Sequence, residues 1–380
     1  MEQQLDFLTK GLSVKAVMSF DSRTVHNFFA SRNYERYVQV VDPVLNGVDG
    51  EDSVYFLQHM PQVKNTPLSI NQNTAYNRFS NFQGYINYVR GFGKHSVSGL
   101  LLYQQQKNVI EAQLPFNLRG FATRLTYGYD NRYMMEFNAG YNGSEQFAKG
   151  SRFGFFPALS AAWVVSNEKF MENSTAISQL KIRGSYGEVG NDRISGRRFL
   201  YLDDITFGGG GYSGSLGVGT RIYTNLLKNE GLQWEVARKT NIGIELGLFN
   251  EFTVILDLFS EKRDNVLRNR GTIPLMNGLP ISTLPPVNIG VIQNKGYELE
   301  LNYRKAFRRE LSVLARLNLS YARNKQLFAD EPLLPGEFAY RYRQTGYRIG
   351  QPFGYIVDRY FTSQEDIDAS PEQSVGGHES

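Results

Sequence analysis

Residues 121–141 read Phe-Ala-Thr-Arg-Leu-Thr-Tyr-Gly-Tyr-Asp-Asn-Arg-Tyr-Met-Met-Glu-Phe-Asn-Ala-Gly-Tyr. Phe121, Leu125, Tyr127 and Tyr129 alternate with Ala122, Arg124, Thr126 and Gly128, and Tyr133, Met135, Phe137, Ala139 and Tyr141 alternate with Met134, Glu136, Asn138 and Gly140. Successive side chains of a strand point to opposite faces, so each run has one apolar and one largely polar face. The polar triplet Asp130-Asn131-Arg132 between them is turn chemistry. The stretch therefore predicts a tight antiparallel hairpin, apolar on a single side.

The same period of two recurs outward in both directions. Leu12, Val14, Ala16, Met18 and Phe20 alternate with more polar neighbours, and so do Ile242, Ile244, Leu246 and Leu248, then Phe252, Val254, Leu256 and Leu258. Tyr297, Leu299, Leu301 and Tyr303 alternate with Glu298, Glu300 and Asn302, and the alternation holds from Leu311 to Tyr321. Weaker runs near 81–90, 95–104, 157–166 and 179–188 bring the total to about eleven strands. Ser166–Gln179 is the one segment with a helical aspect and reads as a short connection.

Short turns at Gly91–Lys94, Asp130–Arg132, Asn250–Glu251 and around Lys305–Arg309 alternate with long segments at 21–80, 105–119, 143–156, 189–239 and 261–295. In an antiparallel series this places every short turn at one end and every long loop at the other, as in outer-membrane barrels. Aromatic placement agrees. Tyr88, Tyr129, Tyr133, Phe252 and Tyr303 lie near the short-turn ends, and Phe20, Tyr103, Phe121, Tyr141, Tyr297 and Tyr321 near the long-loop ends. Two aromatic girdles with aliphatic residues between them mark the two interfaces of a membrane. From Phe121 to Tyr129 the rise is about 26 Å, or roughly 20 Å after a strand tilt of about 40°.

Composition narrows the function. The 380 residues carry 41 Lys+Arg against 37 Asp+Glu and no Cys. A formal charge of +4 with basic and acidic residues interleaved argues against a nucleic-acid partner. Without Cys there is neither a disulfide framework nor a thiolate metal site. Mean hydropathy is −0.38 and no apolar run reaches helix-spanning length, which excludes a helical membrane protein but not a barrel. The start, Met1-Glu-Gln-Gln-Leu-Asp-Phe7, lacks the features of a secretory leader, so either the protein stays inside the cell or the chain is part of a longer one.

Eleven strands cannot close a bacterial barrel, whose strand number is even and whose edges cannot lie open in lipid. At roughly 28 residues per strand, the chain is about half of a barrel in the size class of the plugged, 22-stranded transporters.

Specific strings then resemble a family. Arg152-Phe-Gly-Phe-Phe-Pro-Ala-Leu-Ser-Ala-Ala-Trp163, followed by Ser166-Asn-Glu-Lys-Phe-Met171, is similar to a signature of SusC/RagA-type TonB-linked outer-membrane transporters. Leu180-Lys-Ile-Arg-Gly-Ser-Tyr-Gly187, Leu232-Gln-Trp-Glu235, Asn241-Ile-Gly-Ile-Glu-Leu-Gly-Leu-Phe249, Asn294-Lys-Gly-Tyr-Glu-Leu-Glu-Leu301 and Gly350-Gln-Pro-Phe-Gly-Tyr355 follow in family order. The resemblance implies an all-β, antiparallel transmembrane barrel portion, about 11 of 22 strands, open as a fragment. Residues 1–380 would all belong to the barrel domain of a TonB-dependent receptor, with the N-terminal plug and the C-terminal barrel strands outside the chain. It also implies import of oligosaccharides or peptides, a SusD-like surface lipoprotein partner, the TonB energy-coupling complex, and contact with outer-membrane lipids.

Site residues are sought in the loops, where exposed aromatic faces can pack on sugar rings or peptides. The residues chosen are Tyr212, Tyr223 and Trp234, of which Trp234 could equally anchor the next strand. Arg124, Glu136, Asn138, Arg183, Glu245, Asp257, Glu298, Glu300 and Arg316 fall on the polar, lumen-facing side, where hydration and salt bridges explain them without a substrate. No cofactor is expected. The glycines at 208–211, 214, 217 and 219 lack the Lys-Ser/Thr ending of a phosphate loop. His26, His59, His95 and His378 lack metal-ligand spacing, and Asp42, Asp49, Glu51 and Asp52 miss that of an EF-hand. No nucleophile elbow or catalytic dyad stands out, so no enzyme is expected. Two other readings stay open at this point: a soluble secreted β-sandwich acting as a binding or adhesion module, and a β-rich glycan hydrolase.

Overall fold

The computed structural model describes residues 2–41, 55–60, 64–193, 198–210, 220–274, 276, 278–307, 311–332, 335–336, 339, 342–354, 357 and 359–370. Its strands are β1 (Glu2–Gln4), β2 (Leu12–Ser31), β3 (Tyr37–Val41), β4 (Tyr55–His59), β5 (Ser69–Phe92), β6 (His95–Ile110), β7 (Phe116–Tyr129) and β8 (Tyr133–Ser144). They continue with β9 (Phe153–Val164), β10 (Ile177–Asn191), β11 (Asp204–Gly210), β12 (Thr220–Leu226), β13 (Glu235–Leu248), β14 (Phe252–Arg268), β15 (Val287–Ala306) and β16 (Ser312–Phe328). Twelve of them form one antiparallel sheet in the order β1-β2-β5-β6-β7-β8-β9-β10-β13-β14-β15-β16, and β3/β4 and β11/β12 are separate hairpins within connections. All eleven expected strands are present, and β1 adds three residues beside β2. No helix among the described residues is long and apolar enough to cross a membrane.

The chain divides into two compact units, Met1–Glu145 with Arg152–Pro157, and Gln146–Ser151 with Ala158–Ser380. In the first, the register sets Tyr103 opposite Phe121, Phe121 opposite Tyr141, Leu125 opposite Phe137, and Tyr129 opposite Tyr133. The expected apolar face is therefore one continuous face. At its long-loop end the rings of Phe82 and Tyr103, Tyr103 and Phe121, and Tyr141 and Phe153 lie 6.3, 5.2 and 5.1 Å apart. At the short-turn end Tyr129 stacks on Tyr133 at 6.5 Å. Among the described residues no second layer covers this face, so Phe121 in the belt is 51 % and Leu125 between the belts 53 % exposed. Such a surface is what a strand offers to lipid.

In the second unit, Ile182, Ile244 and Leu256 form one cross-strand row, Leu258, Tyr297 and Tyr321 another, and Phe252 and Tyr303 a third near the short turns. Tyr297 stacks on Tyr321 at 5.8 Å, and Phe252 lies 4.5 Å from Tyr303.

The turns obey local chemistry. In Tyr129–Arg132 the Arg132 N–H donates to the Tyr129 carbonyl at 2.9 Å, with φ of 50° and 52° at Asp130 and Asn131. Positive φ at both central residues suits a two-stranded twist, and Asp and Asn tolerate it. Leu248–Glu251 repeats the geometry with Phe249 and Asn250 at φ of 55° and 56°. Lys94 reaches Asp130 across the turns at 2.9 Å, and this hydrogen bond holds the Asp130 carboxyl below the usual aspartate value.

The structure corrects the loop boundaries. β2 and β5 stay paired to Ser31 and Ser69, far into the segment 21–80, and only residues 111–115 connect β6 to β7 where 105–119 reads as loop. Beyond the membrane both strand faces are wet, so the period-two apolar signal stops, as at Gln104-Gln105-Gln106-Lys107, while the backbone ladder runs on. Likewise β14 and β15 intrude into 261–295, and 189–239 contains β11/β12. The short helical connection expected over 166–179 takes the form of two 3-10 turns, Val165–Asn167 and Lys169–Met171.

If Phe137 faces hydrocarbon, Phe137→Arg in the complete barrel is expected to cost about 2–4 kcal/mol, whereas Thr126→Lys, on the other face and opposite Glu136, costs under about 1 kcal/mol. Denaturant midpoints of the two variants, measured in the same lipid, check the assignment of faces.

Candidate functional site

On the polar face of the second unit, three adjacent strands bring their charges together. Arg183 of β10 donates from Nη2 to Asp257 Oδ2 of β14 at 2.6 Å, crossing the whole width of β13. Its Nε donates to Glu245 Oε1 at 3.1 Å, and Lys181 Nζ meets the same oxygen at 3.1 Å. Asn241 Oδ1 accepts from Arg183 Nη1 at 3.3 Å. The crossing is possible because the β13 residue between them is Gly243. A Cβ there would lie 2.7 Å from the guanidinium carbon and 2.9 Å from Asp257 Oδ1. A glycine inside a strand commonly marks such a close approach.

The ladder continues toward β16. Asp257 is the direct cross-strand partner of Glu298, two like charges side by side, and Arg183 supplies the neutralising cation. Glu300 accepts from Asn302 Nδ2 at 2.7 Å, and Arg316 Nε donates to Asn302 Oδ1 at 2.7 Å. Asp257 Oδ1 is buried without a hydrogen-bond partner among the described residues. In the first unit, Arg124 Nη2 donates to Glu136 Oε2 at 2.6 Å, and Asn138 Nδ2 to Glu136 Oε1 at 2.7 Å. All nine polar-face residues expected from the alternation lie on this face, most of them tied to one another.

Beyond the strand ends at the long-loop side, the second unit has a buried apolar cluster of its own. Phe147 and Leu232 are fully buried, and Leu200 and Leu226 nearly so. Trp234 is 8 % exposed and packs on Phe147 with ring centres 4.9 Å apart. Asparagines tie the surrounding backbone: Asn229 Nδ2 donates to the Pro286 carbonyl at 2.9 Å, and Asn288 Nδ2 to those of Gln233 and Asn265 at 2.9 and 2.8 Å. Asp330, after β16, clamps the segment that follows β14. It accepts from the Thr272 hydroxyl at 2.9 Å and the Gly271 N–H at 3.1 Å, with Arg270 at 3.6 Å. Burial would raise the Asp330 carboxyl, but the hydrogen bonds of Thr272 and Gly271 and the charge of Arg270 outweigh it and hold the group below the usual aspartate value.

The structure does not bring the three aromatic candidates together. Tyr223 stands on β12 opposite Thr206 and is 43 % exposed, Trp234 is in the buried cluster, and Tyr212 lies outside the described residues. So do Asp42, Asp49, Glu51, Asp52 and the glycines at 211, 214, 217 and 219. Among the described residues no group of three or more His, Cys, Asp or Glu could hold a metal ion. Neither the alternation nor the loop aromatics single out Gly243, Asn229, Asn288 or Asp330. Only Gly243, on the polar side of Ile242-Gly-Ile-Glu, carries a local signal.

Two outcomes follow from this geometry. Gly243→Val is expected to lower stability by about 1–3 kcal/mol by pushing Arg183 off Asp257, and to cost markedly less once Arg183 is already Ala. Denaturant titration of the two singles and the double variant reads this coupling. Because Asp330 is depressed in the folded state, its clamp is complete above the ordinary aspartate value near 3.9 and is lost only as pH falls through the lower folded value. A spin label at Met276→Cys is therefore expected to keep its mobility from about pH 7 to 5 and gain mobility only below about pH 4, whereas Asp330→Asn frees it throughout.

Comparison with known proteins agrees with this architecture. The chain is 28% identical over 315 residues to TonB-dependent receptor P3 of Formosa agariphila, covering 72% of this chain and 30% of that protein. It is 27% identical over 264 residues to TonB-dependent receptor SusC of Bacteroides thetaiotaomicron, covering 64% and 25%. The chain thus spans about a third or less of the curated relatives it matches. Among solved structures, the RagAB peptide importer in its closed-closed state superposes with a TM-score of 0.66 at 20% identity, over 89% of this chain and 37% of that one. The outer membrane transporter YddB from Escherichia coli gives 0.51 at 10%, over 87% and 42%. The family model described as TonB dependent receptor-like, beta-barrel matches residues 9–375, and the chain belongs to that outer-membrane family.

Proposed function

We propose that this chain is part of the wall of a SusC/RagA-type importer that takes up oligosaccharides or peptides across the outer membrane. The carrying observation is the division of the sheet into an aromatic-belted apolar face and a salt-bridged polar face, as at Arg183, Glu245 and Asp257. A wall with that division encloses an aqueous or plugged lumen and presents its other side to lipid. The protein would couple through a plug outside this chain to the TonB complex and work with a SusD-like surface lipoprotein. It carries out transport, not bond-making chemistry. The likeness to the RagAB peptide importer supports the peptide part of that substrate class, and the likeness to SusC, a TonB-dependent receptor, supports the mode of uptake.

Tyr212 and Tyr223 are the aromatic faces we propose for substrate contact, and Trp234, packed on Phe147, supports the loop from within. Deleting the gene for the complete protein is expected to abolish uptake of its oligosaccharide or peptide, and a protonophore to abolish it in wild type. Tyr223→Ala is expected to weaken uptake about three- to tenfold at limiting substrate, measured with fluorescent oligosaccharides and peptides on whole cells. Undiminished uptake in the deletion strain would overturn the proposal.

A further inference from the structure

The apolar face of the second unit carries a group of cations just beyond its aromatic belt. Just beyond the Tyr297/Tyr321 pair, on the same face and toward the long loops, Lys295 stands directly opposite Arg323, and Lys325 follows two residues on. Like charges directly opposite on a sheet repel. On the neighbouring strand β14 and on β13 beyond it the ions at about this level are balanced: Arg238 pairs with Glu188 at 3.0 Å and with Asp264, and Lys262 pairs with Asp264 at 3.0 Å. Lys295, Arg323 and Lys325 have no ion pair among the described residues. They line an open cleft of about 560 Å³ together with Leu258, Tyr297 and Tyr321, and with Arg348 of the segment after β16. No carboxylate lines it.

We propose that this cleft binds the phosphorylated headgroup of a lipid in the leaflet at the long-loop side, with the acyl chains running down over Leu258 and Leu319. The placement selects the ligand. The tyrosine belt marks the level where hydrocarbon gives way to headgroups, and the four cations sit immediately beyond it. A lipid phosphate at that height neutralises Lys295 and Arg323 together, while its chains cover an apolar surface that must meet lipid in any case. A soluble anion gains the charges but leaves that surface unused. The inference rests on the membrane orientation of the sheet and not on what the protein transports.

The test uses the complete transporter in phosphatidylcholine nanodiscs, with and without about a tenth of diphosphoryl lipid A, and counts retained lipid by native mass spectrometry. Wild type is expected to retain lipid A selectively, and Lys295→Gln with Arg323→Gln to lower retention about tenfold or more. Lys295→Arg with Arg323→Lys keeps the charges and should restore it, which separates loss of the site from loss of the fold. Lys239→Gln, on the opposite face and paired with Glu261 at 3.4 Å, should change nothing. Equal retention by wild type and the double Gln variant would overturn the proposal. So would an equal loss in Lys239→Gln, or full displacement of lipid A by millimolar inorganic phosphate.

Discussion

The backbone of a strand in hydrocarbon has no water to bond, so each N–H and C=O must find its partner on a neighbouring strand. The rest of this structure depends on that requirement. It explains why the ladder from β2 and β5 to β15 and β16 runs over long stretches with few shifts of register, and why such shifts occur beyond the belts, as between Arg263 and Val266 of β14. Register in turn fixes the faces, because a slip of one residue would carry Arg183 and Asp257 into lipid and Ile182 and Leu256 into the lumen. The cost of that exchange, several charges in hydrocarbon at once, exceeds what any single turn contributes to choosing the pairing.

The same requirement explains what is legible in the sequence. Within the membrane the two faces meet different solvents, so alternation is enforced, and all eleven main strands can be read from it. Above the long-loop belt both faces meet water. There Gln104-Gln105-Gln106 of β6 and the continuation of β2 to Ser31 carry no alternation, although their backbones pair as regularly as below. β1 is too short to show a period at all. The polar-face residues are legible by parity alone, but their assembly is not: Arg183 and Asp257 are 74 residues apart, and only the strand order together with Gly243 shows that they touch.

The loop cluster follows a different physics. Phe147, Leu200, Leu232 and Trp234 lie in the connections, Leu226 at the end of the short hairpin strand β12, and with no common period they bury themselves as in a small soluble domain. The main sheet does not reach this cluster, so side chains of Asn229 and Asn288 supply partners to the backbone around it, beside the local backbone bonds of Asn229 N–H to Leu200 and Leu227 N–H to Thr283. This is why Trp234, read as an exposed aromatic or as a strand anchor, is found packed inside. An aromatic residue near a strand end can serve the interface, the loop interior or a ligand, and composition does not distinguish them.

Charge obeys three rules on one sheet, according to the medium each level meets. On the polar face, partly shielded from water, cations bridge carboxylates across strands, as Arg183 does between Glu245 and Asp257, since an unmatched ion there bears its desolvation cost alone. On the apolar face between the belts there are no charges to match. At the level just above the tyrosines, β10, β13 and β14 again balance their ions, yet β15 and β16 place Lys295 against Arg323 with nothing opposite in sign. Unlike the ions of β10, β13 and β14, these cations stand where another component, a lipid phosphate, can supply the anion. At that height on that face, the neighbouring component is the headgroup layer of the membrane.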